Sequence, residues 1–327
     1  MNLIDQTVLV TGGCGSIGSA VVRLLLGNFP HVTVRVFNRN DSNQHEMMST
    51  LSLKHLDRVR FILGDVTDRG AVCRAVRGCS VVFHCAALKH VWNSAYNAAE
   101  IQRVNVDGTQ SVLEALHGQG RSCRFVLLST DKAVDPSNVM GASKLVAEYV
   151  TLGSWGWASN IVARVVRLGN VFGSRGSVFP TFVQRIKDGL PIYVTDPHMT
   201  RYVMSVRDAA SAMVCAVADE MDGPSIRVQR MRVATVGTMA MAAKQFCGLP
   251  DYSDVITGPL PGEKKHERLL SIHELDRVVK ENFNYVAIGT EVTDSPRTHD
   301  WYEGSSGDQH SDDMATADDL IKMYEDR

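Results

Sequence analysis

The 327-residue chain has no run of about 18 or more apolar residues, so no membrane-spanning helix is expected. It has no basic block: 34 Lys and Arg face 36 Asp and Glu, and the net charge of −2 points to no nucleic-acid partner. No CxxC pair occurs among its seven cysteines, Cys14, Cys73, Cys79, Cys85, Cys123, Cys215 and Cys247. Their odd number and mostly apolar neighbours favour reduced thiols in a cytoplasmic protein over disulfides or zinc ligands. The stretch Met1–Asp5 lacks the basic and apolar regions of a signal peptide, and none is expected. There is no internal repeat. His273, His299 and His310 are scattered, which fits solvated side chains, and no metal site is expected. With 44% hydrophobic and 21% charged residues, the composition is that of a globular protein. The length suits two domains, or one large α/β domain with an annex.

What is present starts with a strand and a glycine turn. Thr7–Val10 is apolar and β-branched, and it runs into Thr11-Gly-Gly-Cys-Gly-Ser-Ile-Gly18. Gly12, Gly15 and Gly18 have the spacing of a dinucleotide-binding turn: one turns the chain, one admits a pyrophosphate, one lets helix pack on strand. Ser19–Leu26 reads as the following helix, whose free N–H groups would face the phosphates together with Thr11, Ser16 and Ile17. Val32–Phe37 is the second strand. An NAD enzyme usually carries Asp or Glu after it, to hold the ribose 2′-hydroxyl. Here stand Asn38 and Arg39, and a guanidinium suits a 2′-phosphate, so NADP is favoured over NAD. The alternative is a solvated surface arginine.

Val59–Leu63 forms a third strand, followed by Asp65 and Val66. Asp65 either accepts from an adenine amino group or caps the helix expected over Asp68–Val76. Ser80–His84 is a fourth strand, and after it Ala86 and Ala87 are small enough to lie close to a cofactor. Lys89 is the one charge in that apolar turn, a candidate for cofactor or substrate contact. A helix over Glu100–Leu116 places Asn105 in its interior, where a buried amide needs a partner. Strand and helix alternate to Val150, which predicts a doubly wound, Rossmann-like parallel sheet with ligands at the carboxyl ends of its strands.

Arg124–Leu128 is one such strand, and Ser129-Thr-Asp-Lys132 follows it. Asp131 and Lys132 are an acid and a base by type, although a surface ion pair would look the same. Met140 and Lys144 lie i, i+4 on one helix face.

These residues resemble the extended short-chain dehydrogenases, and among them the inverting UDP-N-acetylglucosamine 4,6-dehydratase (5-epimerase) family. The likeness spans roughly residues 3 to 285. Its motifs are Thr11–Gly18, Phe37–Arg39, Ala86–His90, Ser129–Ala133, Asn138–Gly141, Arg167–Asn170, Ser174–Val178, Thr195–Arg201 and Gly262–Lys265. The i, i+4 pair is normally Tyr and Lys in short-chain dehydrogenases; Met at the Tyr position marks a known sub-branch. The resemblance implies an NADP-held lyase reaction on a UDP-sugar. Hydride leaves C4, the C5 proton is abstracted, water leaves C6, and hydride returns to C6 with inversion at C5. It implies Lys132 as the C5 base and Asp131 as the acid that assists water. It implies Lys144 and Ser129 beside the nicotinamide ribose. Lys132 would need a depressed pKa to serve as a base. A thioether has no exchangeable proton, so Met140 cannot take the C4 hydroxyl proton, and Thr130, a water and Asp131 all stay open for that step. Other readings are a UDP-sugar epimerase or 5,6-dehydratase of the same fold, and a non-catalytic NADP-binding regulator.

In the second half, Ile161–Arg167 reads as a strand and Val228–Val233 as a strand of a smaller substrate-binding domain. Asn170, Arg175, Thr195, Arg201, Met204 and Glu263 are candidate substrate contacts. Arg201 is the choice for the diphosphate, against an ion pair at the domain junction. Relatives commonly carry Arg three residues before Glu263; this chain has Leu260. The expected domains are 1–170, with sheet-completing segments from 195–215, then 171–290, then a polar loop and short helix over 291–327. Thr316–Asp319 reads as a helix start. A homo-oligomer, dimer or hexamer, is expected.

Overall fold

The computed structural model describes residues 6–326 apart from 92–93, 219–220, 222, 283, 292–300 and 309–312. His299 and His310 lie outside the described residues. Apolar runs with β-branched residues give the first strands: β1 (Thr7–Thr11), β2 (Thr33–Asn38), β3 (Val59–Leu63), β4 (Val81–His84), β5 (Cys123–Thr130) and β6 (Ile161–Leu168). Later come β7 (Asn170–Val171), β8 (Ile192–Val194), β9 (Thr200–Met204), β10 (Ser225–Gln229), β11 (Arg232–Thr235), β12 (Asp254–Ile256), β13 (Val278–Glu281) and β14 (Tyr285–Ile288).

A nine-stranded sheet runs in the order β13-β14-β10-β6-β5-β4-β1-β2-β3. It is parallel from β10 to β3, with β14 and β13 added antiparallel at one edge. Val8, Leu9 and Val10 are all fully buried, as are Val81, Val82 and Phe83. Consecutive buried residues mean that both sheet faces are covered. Helices Ser16–Asn28 and Val206–Ala218 pack together, and Gly108–His117 packs with both Arg69–Val76 and Val139–Gly153. Each buried Val, Leu or Phe here contributes roughly 1.5–3 kcal/mol.

A second core gathers Phe172, Phe179, Phe182, Ile186, Ile192, Met239 and Leu320. It lies under helices Val178–Lys187, Val236–Phe246 and Ala317–Glu325. The last of these starts with a capping box: the Thr316 hydroxyl accepts from Asp319 N at 3.2 Å, and Asp319 Oδ2 accepts from Thr316 N at 2.9 Å.

The sheet departs from the sequence reading in its later strands. Residues 228–233 do not form one strand; β10 joins the large sheet, and β11 pairs instead with β9. Segment 195–215 adds no strand to the large sheet. It supplies β9 and most of the helix Val206–Ala218, while β10, β13 and β14 complete the sheet. The helix expected over Glu100–Leu116 is interrupted by a π turn at Arg103–Asp107. That extra residue turns Asn105 inward, where it finds three partners.

Candidate active site

A cavity of about 620 Å³ opens over the carboxyl ends of β1, β4, β5 and β6. Gly12, Gly15, Ser16, Ile17, Gly18 and Arg39 line one end of it. Gly12 has φ +62°, and a Cβ there would stand 2.7 Å from the Ala86 backbone nitrogen. Only glycine fits between the two turns. The helix Ser16–Asn28 begins at this point with no side-chain cap and no acidic residue in its first turn. Uncapped N–H groups at a helix start, facing a cavity walled by glycine, suit the pyrophosphate of a dinucleotide.

Other expected cofactor residues act from beneath. Thr11 is buried and bonds His84 Nδ1 at 2.8 Å, and its hydroxyl accepts from Ala86 N at 3.3 Å. Ala87 lines the cavity, whereas Ala86 and Val66 do not. Val66 is buried under Gly108. Asn105 does not line the cavity: its Oδ1 accepts from Leu88 N at 2.8 Å, and its Nδ2 donates to Leu88 O and Ser143 Oγ. It holds the turn after β4. Asn38 does not line the cavity; its carbonyl accepts from Gly64 N at 3.1 Å. Asp65 neither caps the next helix, which Asp68 does, nor lines the cavity. Its Oδ1 accepts from Thr67, and its Oδ2 stands 3.8 Å from Arg39. Burial works to raise its pKa, but the Thr67 bonds and Arg39 outweigh it and the carboxyl ends below its ordinary range.

The other end of the cavity holds the chemistry. Ser129, Thr130, Lys132, Met140, Lys144 and Asn170 all line it. The Asn138 side chain caps the helix Val139–Gly153 by accepting from Gly141 N at 2.9 Å. A Cβ on Gly141 would meet Lys132 O at 2.2 Å, so glycine seats this helix directly on the Asp131–Lys132 turn. Lys144 Nζ donates to Leu128 O at 2.5 Å. Burial pushes its pKa down to about 8 against the pull of Glu148. Ser129 Oγ donates to Glu148 Oε1 at 2.5 Å, and Glu148 pairs with buried Arg167, which also grips Glu274.

Asp131 is fully buried. Its Oδ1 takes the Thr130 hydroxyl at 2.9 Å and Lys132 Nζ at 3.1 Å, while its Oδ2 has no hydrogen-bond partner among the described residues. Lys132 Nζ also donates to Asn170 Oδ1 at 2.8 Å and lies 3.7 Å from Glu267 Oε1. The expected depression of the Lys132 pKa does not occur. Burial alone would lower it, but the Asp131 and Glu267 carboxylates raise it above its ordinary value. Glu267 is the residue that the motif reading missed. It sits just beyond Gly262–Lys265, in a run whose polarity resembles an exposed loop, yet it is 3% exposed.

The expected substrate residues divide. Lys89 and Arg175 line the cavity, with Lys89 Nζ donating to Arg175 O at 2.5 Å. Burial lowers the Lys89 pKa. Arg175 N donates to Ser16 Oγ at 2.9 Å, which puts this loop beside the glycine turn. Thr195, Arg201, Met204 and Glu263 do not line the cavity. The Arg201 guanidinium is buried and donates to Thr200 O on its own strand and to Lys265 O, so it ties β9 to the loop that carries Lys265. Met204 is core, Thr195 bonds Met199 Sδ, and Glu263 accepts from Leu260 N at 3.0 Å within its own turn. His273 is exposed. Among the described residues no cluster could hold a metal, and no helix is long and apolar enough to cross a membrane.

Residues 8–288 match the model of a family described as polysaccharide biosynthesis protein. The chain belongs to that family. Proteins similar to this chain include an uncharacterized membrane protein of Methanocaldococcus jannaschii, 38% identical over 83% of this chain and 82% of the other. A UDP-glucose 4-epimerase of Rickettsia akari is 35% identical, covering 83% and 80%. The inverting UDP-N-acetylglucosamine 4,6-dehydratase of Campylobacter jejuni is 33% identical, covering 93% and 89%. Among solved structures, Pen from Bacillus thuringiensis superposes with a TM-score of 0.90 at 28% identity, over 100% of this chain and 99% of that one. The dTDP-glucose 4,6-dehydratase DesIV of Streptomyces venezuelae, solved with NAD, gives 0.70 at 26% identity, over 83% and 90%. This member of the polysaccharide biosynthesis family is thus an extended short-chain dehydrogenase-type enzyme of the nucleotide-sugar dehydratase and epimerase group. Its cofactor is a nicotinamide dinucleotide, as in the NAD-bound solved structures it resembles, and the glycine turn leaves room for the pyrophosphate of one.

Proposed function

We propose that the protein is an NADP-dependent 4,6-dehydratase of UDP-N-acetylglucosamine that inverts C5. The observation that carries this reading is the adjacent Asp131 and Lys132 at the end of β5: Lys132 lines the cavity beside Asn170, and the buried Asp131 pairs with it at 3.1 Å. An acid and a base side by side serve an elimination across C5 and C6; a 4-epimerase needs a base only at the C4 hydroxyl. The dinucleotide, when bound, supplies acceptance and return of hydride. Gly12, Gly15, Ser16 and Gly18 would hold its phosphates, and Arg39 its 2′-phosphate. Incubation with UDP-N-acetylglucosamine, followed by mass spectrometry, should show loss of one water. An unchanged mass with several UDP-sugars would sink the dehydratase reading. Interconversion of UDP-sugars without water loss would favour the epimerase of the Rickettsia relative's name.

Arg39 stands at the cavity rim, 3.8 Å from Asp65 Oδ2, and β2 ends in Asn38 where an NAD enzyme usually has a carboxylate. Arg39→Ala should therefore weaken NADP binding about 10-fold or more, as loss of one charge-assisted phosphate contact does, and leave NAD binding nearly unchanged. Equal loss of both affinities, measured by titration of the free protein, would contradict the assignment.

Met140 cannot accept the C4 hydroxyl proton. Lys144, on the same helix face and with a pKa near 8, is the titratable group best placed to do so. The amine is the active form, so nicotinamide reduction on mixing with substrate should rise with pH and level off above about 8. A rate that is flat from pH 6 to 9 in stopped-flow absorbance would exclude Lys144 from that role.

A further inference from the structure

Lys132 presents a difficulty. Two carboxylates hold it as an ammonium, and an ammonium cannot take a proton from carbon. Its proton must go somewhere before it can act. Asp131 is the nearer acceptor, but its Oδ1 already takes two donors, the Thr130 hydroxyl and Lys132 Nζ. What sets Glu267 apart is the distance of its cations; it is also buried, and its Oε2, like Asp131 Oδ2, has no hydrogen-bond partner among the described residues. Its contacts with Lys132 Nζ and Lys264 Nζ are both 3.7 Å, too long for hydrogen bonds. A carboxylate compensated only at that distance gives up little by becoming a carboxylic acid.

We propose that Glu267 receives the Lys132 ammonium proton, so that Lys132 meets the sugar as an amine. One N–H bond breaks at Nζ and one O–H bond forms on the Glu267 carboxyl. The electron pair left on Nζ then takes the C5 proton, and the ion pair becomes an amine and an acid in the interval. The 3.7 Å gap must close in the substrate complex or be spanned by one water. Four charged groups face the Glu267 carboxylate: Lys132 and Asp131 from the turn after β5, Arg201 from β9, and Lys264 from its own loop. Burial raises the pKa of Glu267, Asp131 raises it further, and the three cations oppose this; the balance leaves it raised. The main chain on either side is pinned, since Ser306 N donates to Glu267 O at 2.7 Å and Glu267 N donates to Ser306 Oγ at 3.0 Å. The carboxyl is thereby held in place while its proton comes and goes. Glu267 acts through Lys132 and is a positioning residue rather than a catalytic one.

This inference rests on the dehydratase reading. Its test separates the half-reactions in D₂O. Nicotinamide reduction reports loss of hydride from C4, and deuterium entering C5 reports the base. In Glu267→Gln, reduction should stay within about tenfold of the wild type, while C5 exchange falls by about 100-fold or more, the scale of a lost acid–base contribution. Infrared difference spectra on adding substrate should show a protonated-carboxyl band in the wild type that the Gln variant lacks. Unchanged exchange, equal loss of both half-reactions, or the absence of that band overturns the role of Glu267. If Glu267→Gln does not fold, Glu267→Asp decides: the shorter carboxyl must slow exchange more than reduction, and equal slowing overturns it. A wild-type protein that reduces its nicotinamide without losing water from the sugar fails the dehydratase reading itself, which is a separate result.

Discussion

Lys132→Ala should abolish turnover while leaving NADP binding nearly intact. General acid–base groups contribute about 10²- to 10⁴-fold, and here the same side chain also orders Asp131 and Asn170. A loss at the upper end of that range is expected. The dinucleotide end of the cavity is built on β1, β2 and the helix Ser16–Asn28, and none of the Lys132 partners lies there. Isothermal titration with NADP should give a dissociation constant within about threefold of the wild type, a difference under about 0.7 kcal/mol. Substrate mass should not change over hours. Loss of cofactor affinity together with activity would show that Lys132 supports the fold of the pocket and not its chemistry. The variant should also melt earlier, because Asp131 and Glu267 lose the cation between them.

Arg167→Leu should be the most destabilising single change in the large sheet. Arg167 is fully buried on β6, and its guanidinium donates to Glu148 at 2.7 Å, to Glu274 at 2.8 Å and to Leu269 O at 2.8 Å. Burial opposes its charge, but the two carboxylates hold the arginine protonated well above its ordinary value. Burial likewise opposes the Glu274 charge, yet Arg167 draws that carboxyl below its usual range. Removing one partner leaves buried anions uncompensated, a cost of about 3–5 kcal/mol. The melting temperature should fall by roughly 4–7 °C. The triple variant with Glu148→Gln and Glu274→Gln should recover part of that loss, since no buried charge then lacks a counterpart. A melting point within about 2 °C of the wild type for Arg167→Leu alone would refute the estimate. The sign with pH follows from Glu274: its folded pKa is lowered, so the stability it contributes is present above its ordinary pKa of 4.5 and is lost as pH falls through the folded value.

The parallel sheet was legible because β-branched runs and the glycine turn report on local geometry. Strands β1 to β6 fall within two residues of where those runs place them. The π turn was not legible, because residues 103–107 carry the same helical periodicity on both sides and the register shift is fixed by Leu88 and Ser143, far away in sequence. The placement of β10 escaped for a similar reason: residues 228–233 alternate without a break, and the turn at Arg230 and Met231 depends on which sheet each half can reach. In the site, Asp131, Lys132, Met140 and Lys144 are close in sequence, so their convergence could be read from helix spacing. Glu267 meets them only through tertiary contact. The partners of Arg201 were not legible either: its guanidinium donates to the carbonyls of Thr200 and Lys265, and the second is reached only through the fold.

The bonds between Ser306 and Glu267 set an order of events during synthesis. Every strand of the large sheet has been made once Ile288 leaves the ribosome. Ser306, which fastens the backbone at Glu267 and reaches Thr200 Oγ1 at 2.6 Å, emerges later. At about 5–20 residues per second, the nascent sheet can assemble before its proton-handling cluster is closed. A ribosome stalled between these two points would carry a folded dinucleotide-binding half with an open, unfastened Glu267.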